Sequence, residues 1–165
     1  MPDDVSIRRL EESDWRFAWR LNQSEIPQVG AETFPKFKRL CTISVFAALA
    51  VMDGERAGFL LGMTADADYD SPNFTWFRER YPQFLYVDRI AVVREQRSRG
   101  VGRALYAEAE GHARQNGLSL LCCEVNLIPP NPRSMAFHAK LGFVQAGSQV
   151  AHGKTVAMLV KQLGQ

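Results

Sequence analysis

The segment that most constrains the fold of this chain runs from Tyr86 to Asn116. Residues 86–93 are mostly β-branched and apolar, which is typical of a buried strand. A short polar bend follows, and Gly100 and Gly102 then open a segment in which small apolar residues recur at helical spacing as far as Ala113. The sequence therefore predicts a strand, a glycine-containing turn and a helix in direct succession.

A turn of this kind can bind an anion, because the first amides of a helix lack intrahelical acceptors and carry the positive end of its dipole. Gly100 and Gly102 have no Cβ atoms that would keep an anion away from the backbone. One charge at a helix N-terminus gains only about 0.3–1 kcal/mol, so several groups must act together, as they could on a diphosphate. Four arginines make the turn electropositive: Arg94, Arg97, Arg99 and Arg103.

Two common nucleotide motifs do not fit this turn. A P-loop requires Gly-Lys followed by Ser or Thr, whereas Gly102 is followed by Arg103, Ala104 and Leu105. The dinucleotide fingerprint requires a glycine at position 105 and normally lies in the first strand–helix unit of its domain. Half of this chain precedes the turn, so another phosphate ligand is indicated.

Composition supports a local anion site and no broadly charged surface. The chain has 20 basic and 18 acidic residues, with a formal net charge of +2. This balance gives no overall attraction to nucleic acid or to a membrane surface, so neither is expected as a partner.

Length and cysteine content indicate one intracellular domain. The 165 residues suit a single domain spanning residues 1–165, because one core usually serves about 100–200 residues. The three cysteines are odd in number, and Cys122 and Cys123 are neighbours in an apolar run, which argues against a disulfide framework. No apolar signal core opens the sequence, and no run reaches the roughly 20 apolar residues that cross a bilayer. We therefore expect a cytoplasmic location.

Turn and cap signals divide the rest of the chain. Asp53-Gly54 between two apolar runs predicts a β-hairpin, and His152-Gly153-Lys154 predicts the turn of another. Ser13 with Asp14 is predicted to cap a helix, and Asn131 before Pro132 is predicted to cap a later one. The aromatic-rich residues 72–81 suit a helical turn. The resulting order, β-α-α-β-β-β-α-β-α-β-β, predicts an α/β (α+β) fold with a mixed sheet and helices on its faces.

Two motifs and this order of elements resemble the GNAT superfamily of N-acetyltransferases. Residues 97–102, Arg-Ser-Arg-Gly-Val-Gly, fit the family's pyrophosphate-binding pattern of Gln or Arg, two residues, Gly, one residue, and Gly or Ala. The second motif resembles the family's Asn, small residue, aromatic pair and Leu-Gly-Phe, and consists of Asn131, Ser134, Phe137-His138 and Leu141-Gly142-Phe143. The resemblance covers nearly the whole chain. It implies the GNAT fold, a mostly antiparallel sheet of about six or seven strands flanked by about four helices.

The resemblance also implies that acetyl-coenzyme A (acetyl-CoA) is the cofactor. In the family, the strand before the glycine turn binds the pantetheine arm, which here means Ile90, Ala91, Val92 and Val93. The turn binds the diphosphate, which here means Arg97, Ser98, Arg99, Gly100, Val101, Gly102, Arg103 and Ala104. Asn131, Ser134 and Phe137 are predicted to contact coenzyme A as well. Helix capping alone also accounts for Asn131, and the preceding Pro129-Pro130 adds length that leaves Asn126 as a competing candidate.

His138 stands where many family members have the tyrosine that protonates the leaving sulfur. An imidazolium can donate that proton, because the ordinary pKa of histidine, about 6.5, lies near working pH. The alternatives are a packing role for His138, with Tyr86, Tyr106 or bulk water as the proton donor.

Asp88 is predicted to be the base that takes a proton from the amine, because it shares strand parity with Tyr86 and Ile90. Glu124 on the adjacent strand is the rival, and either carboxylate could instead pair with an arginine such as Arg89. No metal is predicted to take part.

The predicted function is an acetyl-CoA-dependent N-acetyltransferase that acetylates a primary amine of a small molecule or peptide by direct transfer in a ternary complex. Carboxylates and aromatics in residues 23–33 and 66–81 are predicted to line the acceptor side. The alternative is a non-catalytic acyl-CoA binding or sensing module on the same fold, because His138 replaces the family tyrosine. The expected partner is the amine, and the resemblance leaves a homodimer open.

Overall fold

The computed structural model describes residues 4–26 and 29–164. Seven strands and five helices follow one another in these residues, and short 3-10 turns precede α1 and α4. In chain order the elements are β1 (Val5–Arg9), α1 (Trp15–Ser24), α2 (Phe34–Ile43), β2 (Phe46–Met52), β3 (Glu55–Thr64), α3 (Pro72–Arg78), β4 (Leu85–Val92), α4 (Val101–Gln115), β5 (Leu120–Ile128), α5 (Pro132–Lys140), β6 (Val144–Ala151) and β7 (Lys154–Gln162). The predicted order is confirmed with one addition, because the helical turn expected in the aromatic-rich segment is a fifth helix, α3, between β3 and β4.

The strands form one mixed sheet in the order β1-β2-β3-β4-β5-β7-β6. Every neighbouring pair is antiparallel except β4 and β5. These two strands pair only at Leu85 with Leu121 and at Tyr86 with Cys122, although they continue to Val92 and Ile128. The two strands therefore separate beyond Tyr86 and open a gap in the middle of the sheet.

Each face of the sheet carries its own hydrophobic core. Helices α1, α2 and α3 cover one face, where Phe37, Phe59 and Phe74 are fully buried. Helices α4 and α5 cover the other, where Leu60 and Leu105 are fully buried. Burying one such side chain contributes roughly 1.5–3 kcal/mol. Both helical layers therefore stabilise the sheet, and they determine which side chains can enter the gap between β4 and β5.

The turn chemistry of both predicted hairpins is confirmed, with one shift in position. Asp53 and Gly54 have φ values of 53° and 77°, the pair of left-handed residues that suits the twist of two-residue hairpins. His152 and Gly153 have φ values of 54° and 73°, so the second turn has two residues. Lys154, which was predicted to lie in that turn, is the first residue of β7.

Asp14 precedes α1 as predicted, but its side chain does not cap the helix. The carboxylate is completely buried and accepts hydrogen bonds from Arg8 at 2.7 Å, Arg56 at 2.8 Å and the Glu11 amide at 2.9 Å. Two arginines, one from β1 and one from β3, are better partners for a buried carboxylate than a helix amide. Asp14 therefore ties α1 to β1 and β3.

Candidate functional site

A β-bulge in β4 determines which side chains enter the gap. Arg89 pairs with Leu61 and Val87 pairs with Gly62, so Asp88 is an extra residue in β4. After the bulge the alternation changes, because Tyr86 packs in the core under α1–α3 whereas Ile90 packs against the opposite core. The predicted parity of Asp88 with Ile90 is therefore wrong.

Asp88 has 4% of its side chain exposed, and both of its carboxylate oxygens are hydrogen-bonded. The Tyr69 hydroxyl donates to Oδ1 at 2.9 Å, and the Arg89 Nε donates to Oδ2 at 3.1 Å. This arrangement matches the arginine-pairing alternative for Asp88, and it holds the carboxylate in one orientation.

Glu124 enters from β5 on the same face, two residues beyond Cys122, where β4 and β5 have begun to separate. The Tyr86 hydroxyl donates to Glu124 Oε2 at 2.7 Å, and the Asn73 side chain also hydrogen-bonds to the carboxyl group. Burial, together with the nearby negative charge of Asp88, raises the pKa of Glu124 to about 8. Glu124 is therefore a carboxyl group that changes protonation near neutral pH.

Lys154 also lies on the face of the sheet that carries Asp88 and Glu124, which the sequence analysis did not predict. Lys154 is two residues before Val156 in β7, so the two side chains lie on the same face, and Val156 packs in the core under α1–α3. Burial and the positive charge of Arg89 lower the pKa of Lys154. A sequence-based assignment to the turn gave no indication that this cation approaches the face of the sheet that carries Asp88 and Glu124.

The glycine turn has the open backbone that an anion site requires. Gly100 has a φ of 85°, a left-handed conformation that favours glycine, and an added Cβ would meet no atom within 4 Å. Ala104 is the first residue of α4 whose amide bonds back to Gly100 O, at 3.0 Å. The amides of residues 101–103 precede that bond and lie at the positive end of the helix dipole.

Two arginines of the turn are engaged in ion pairs. Arg97 pairs with Glu25 at the end of α1, and Arg99 pairs with Asp53 at 3.2 Å. Arg94 and Arg103 are exposed. The positive charge presented to solvent at the turn therefore comes mainly from these two residues and the helix amides.

The missing Cβ of Gly102 faces a side chain. A Cβ placed there would lie 2.9 Å from Phe137 Cζ, so α5 packs its aromatic ring directly on the start of α4. The structure thus brings together Gly102 and Phe137, which come from the two separate sequence motifs. It also confirms Asn131 as a helix cap, because its side chain accepts a hydrogen bond from the Ser134 amide at 3.3 Å.

His138 lies on the opposite face of the sheet from Asp88 and Glu124 and is 3% exposed. Its Nδ1 lies 2.8 Å from Ser134 O, which can only accept, so Nδ1 carries the proton and Nε2 accepts from the Tyr106 hydroxyl at 2.7 Å. Burial lowers the pKa of His138. These contacts favour a neutral imidazole that joins α5 to α4, while proton donation by His138 stays a prediction.

A model of the acetyltransferase (GNAT) family matches residues 5–143. The chain belongs to this family. The match covers the glycine turn, the gap between β4 and β5, and the α5 motif.

Solved structures show the same fold for this GNAT-family chain. The ribosomal-protein-S18-alanine N-acetyltransferase from Escherichia coli is 17% identical, covers 98% of this chain and 96% of its own, and has a TM-score of 0.76. Ard1 from Thermoplasma volcanium is 17% identical, covers 98% and 99%, and has a TM-score of 0.79. The putative acetyltransferase yncA from Salmonella typhimurium, solved with its cofactor acetyl-CoA, is 15% identical, covers 98% and 95%, and has a TM-score of 0.71. No curated protein sequence matches the chain.

The residues of this GNAT-family protein fit acetyl-CoA at the turn and the gap. Open amides at residues 101–103 suit a diphosphate, and the separated edges of β4 and β5 leave backbone groups available to an extended arm. Among residues 4–26 and 29–164, no helix is long and apolar enough to cross a membrane. The same described residues contain no cluster of three or more His, Cys, Asp or Glu side chains that could hold a metal ion.

Proposed function

We propose that the protein transfers an acetyl group from acetyl-CoA to a primary amine of a small molecule or peptide, and that Glu124 accepts the proton of the amine. The observation that carries this proposal is the buried Glu124 carboxyl, with a pKa of about 8, in the gap between β4 and β5. The E. coli neighbour named for an alanine of a ribosomal protein supports an amine acceptor.

Glu124 is better matched to this task than an ordinary carboxylate. An alkylammonium group has a pKa of about 10, so a base with a pKa near 8 takes its proton far more readily than a glutamate with a pKa of about 4.3. Tyr86 stays protonated because burial and the charge of Glu124 raise its pKa well above its ordinary value. Its hydroxyl therefore keeps donating to Glu124 and fixes the orientation of the carboxyl group.

The acetyl donor is bound by residues other than Glu124 and Tyr86. We assign its diphosphate to the amides and side chains of residues 97–104, and its pantetheine arm to the backbone of residues 90–93, with Phe137 and the start of α5 alongside. When bound, acetyl-CoA supplies the acetyl group as a thioester. Asp88, fixed by Tyr69 and Arg89, adds negative charge that favours a cationic amine on the acceptor face.

The cysteines support direct transfer to the amine. Burial raises the pKa of Cys41 to about 12, and burial also raises the pKa values of Cys122 and Cys123. The thiolate is the nucleophilic form of cysteine, so these buried thiols are unsuited to accept the acetyl group first.

The test is thiol release from acetyl-CoA across a panel of small amines, amino acids and peptides. We expect release that depends on the amine, with kcat/KM rising as pH increases through about 8 because Glu124 must lose its proton. Glu124→Gln keeps the shape and should lower kcat by about 10²-fold or more, the usual loss for a general base. Glu108→Gln, at an exposed glutamate on α4, is the matched control and should retain wild-type rates.

The second candidate function is a non-catalytic acyl-CoA binding module. It is favoured by His138, which replaces the family tyrosine and has both ring nitrogens hydrogen-bonded in the core. Tight binding of acetyl-CoA with no amine-dependent thiol release at any pH from 6 to about 9.5 would support the binding module and refute the transferase.

A further inference from the structure

Arg89 is a buried cation at a junction between β4 and the acceptor side. It directly follows the bulge residue Asp88, and only 7% of its side chain is exposed. Its partners are Asp88 Oδ2 at 3.1 Å, Asn22 Oδ1 at 3.0 Å, Gly30 O at 2.5 Å and Glu32 Oε1 at 2.9 Å.

These partners belong to three parts of the chain. Asp88 is in the strand that borders the gap, Asn22 is in α1, and Gly30 and Glu32 lie between α1 and α2. The guanidinium group reaches across 57 residues of sequence to Glu32 and 67 residues to Asn22. A planar group with five fixed donors can satisfy acceptors in several directions at once, which an ammonium group cannot reproduce.

Residues 29–33, the segment that Arg89 contacts, also accept hydrogen bonds from side chains of α1. Trp19 Nε1 donates to Glu32 O at 2.8 Å, and the side-chain Nδ2 of Asn22 donates to Gly30 O at 3.1 Å. Those contacts are local in sequence. Arg89 adds the connection between this segment and the strand that carries Asp88.

We propose that Arg89 is a positioning residue for the amine acceptor, because it fixes residues 29–33 against the β4 bulge and so sets the wall that the amine meets beside Asp88 and Glu124. This inference rests on the proposed function. Arg89 acts through its neighbours: it orients the Asp88 carboxylate and the Gly30–Glu32 backbone, and it takes no part in the proton transfer assigned to Glu124.

The test is the steady-state kinetics of Arg89→Gln and Arg89→Lys with the amine varied at saturating acetyl-CoA. The KM for the amine should rise about tenfold or more while kcat changes by less than about threefold, because the loss falls on acceptor binding. The dissociation constant of coenzyme A should stay within about twofold of the wild-type value, because the four described partners of Arg89 all lie outside the turn. Arg89→Lys should behave like Arg89→Gln, since a lysine cannot satisfy the same four acceptors.

Hydrogen exchange supplies a readout that does not depend on activity. The amides of residues 29–33 should exchange faster in the Arg89 variants, with the amides of α4 unchanged. Arg39→Gln is the matched control, because Arg39 lies on α2, forms an exposed ion pair with Asp68 and should leave both readouts at wild-type values. Should the Arg89 variants fail to fold, Glu32→Ala removes one of the four contacts and should shift the amine KM and the exchange in the same direction by less.

The outcomes separate the two proposals. An unchanged amine KM in a folded Arg89→Gln protein overturns the positioning role, and so does an equal loss of coenzyme A affinity. Faster exchange at residues 29–33 with an unchanged amine KM would show that Arg89 holds this segment without affecting amine binding, which also overturns the positioning role. Wild-type protein without amine-dependent thiol release refutes the proposed function, and the positioning role falls with it.

Discussion

Burial favours the neutral form of both Glu124 and His138, but the two residues lie on opposite faces of the sheet. It raises the pKa of Glu124 to about 8 and lowers the pKa of His138. Glu124 can therefore lose its proton at slightly alkaline pH, as a base for an amine must. His138 is kept neutral by the same cause, which opposes the charged form that would donate a proton to sulfur.

Replacing His138 with alanine tests both of its roles. The change leaves the buried Tyr106 hydroxyl without its acceptor and removes packed ring atoms, so we expect the free energy of unfolding to fall by about 2–4 kcal/mol. Denaturant unfolding measures this loss, with His112→Ala on the partly exposed face of α4 as control. The pH–rate profile should keep its shape if His138 only packs, whereas a lost alkaline limb would assign proton donation to it.

Two elements carry the candidate site, the bulged strand β4 and the start of α4. In β4 one extra residue places Asp88 and Arg89 towards the same face, although their positions in sequence suggest opposite faces. At the start of α4, Gly100 is required by its backbone conformation and Gly102 by the ring of Phe137. Glycine is therefore required at these two positions of one motif for two different physical reasons.

Substitutions at these glycines separate the two reasons. Gly100→Val puts a β-branched side chain at a φ of 85°, which costs at least about 1–2 kcal/mol and displaces the amides of the turn, so coenzyme A binding should be lost. Gly100→Asn tolerates this conformation better and should retain most of the affinity. Calorimetric titration with coenzyme A measures both variants, and micromolar binding by a folded Gly100→Val protein would contradict the diphosphate assignment.

Gly102→Val should act through Phe137 and not through backbone conformation. Its Cβ would lie 2.9 Å from the Phe137 ring, so the ring must move. We expect coenzyme A binding to weaken together with a loss of packing between α4 and α5. The double substitution Gly102→Val with Phe137→Ala, which makes room for the new side chain, should recover part of the stability in denaturant unfolding.

Across the whole molecule, two buried carboxyl groups make stability depend on pH in opposite directions. Burial alone would raise the pKa of Asp14, but hydrogen bonds from Arg8, the Glu11 amide and Arg56 lower it to about 2. Its contribution is present above an ordinary aspartate pKa and is lost as pH falls towards 2. The raised pKa of Glu124 has the reverse effect: stability is fully present below about pH 4.5 and is lost as pH rises through 8.

Urea unfolding between pH 2.5 and about 8.5 should therefore show stability falling towards both ends of the range. Either group alone can change the free energy of unfolding by at most about 1.4 kcal/mol per pH unit. Asp14→Asn should flatten the acid side, and Glu124→Gln should flatten the decline between about pH 4.5 and 8. A decline that persists in Glu124→Gln would show that another group causes it.

The sequence by itself determined the features that depend on neighbouring residues. The left-handed pair Asp53-Gly54, the cap formed by Asn131, and the strand, glycine turn and helix around Gly100 follow from local backbone preferences and from the period of apolar residues. The order of elements and the mixed sheet follow from these signals taken together.

Tertiary structure alone decided how distant residues meet. The bulge at Asp88 depends on the register between β3 and β4, the pairing of Asp14 depends on arginines from β1 and β3, and the pKa of Glu124 depends on burial beside Tyr86 and Asp88. Burial, charge and register in this protein are set by contacts between residues tens of positions apart, and local sequence preferences carry no record of them.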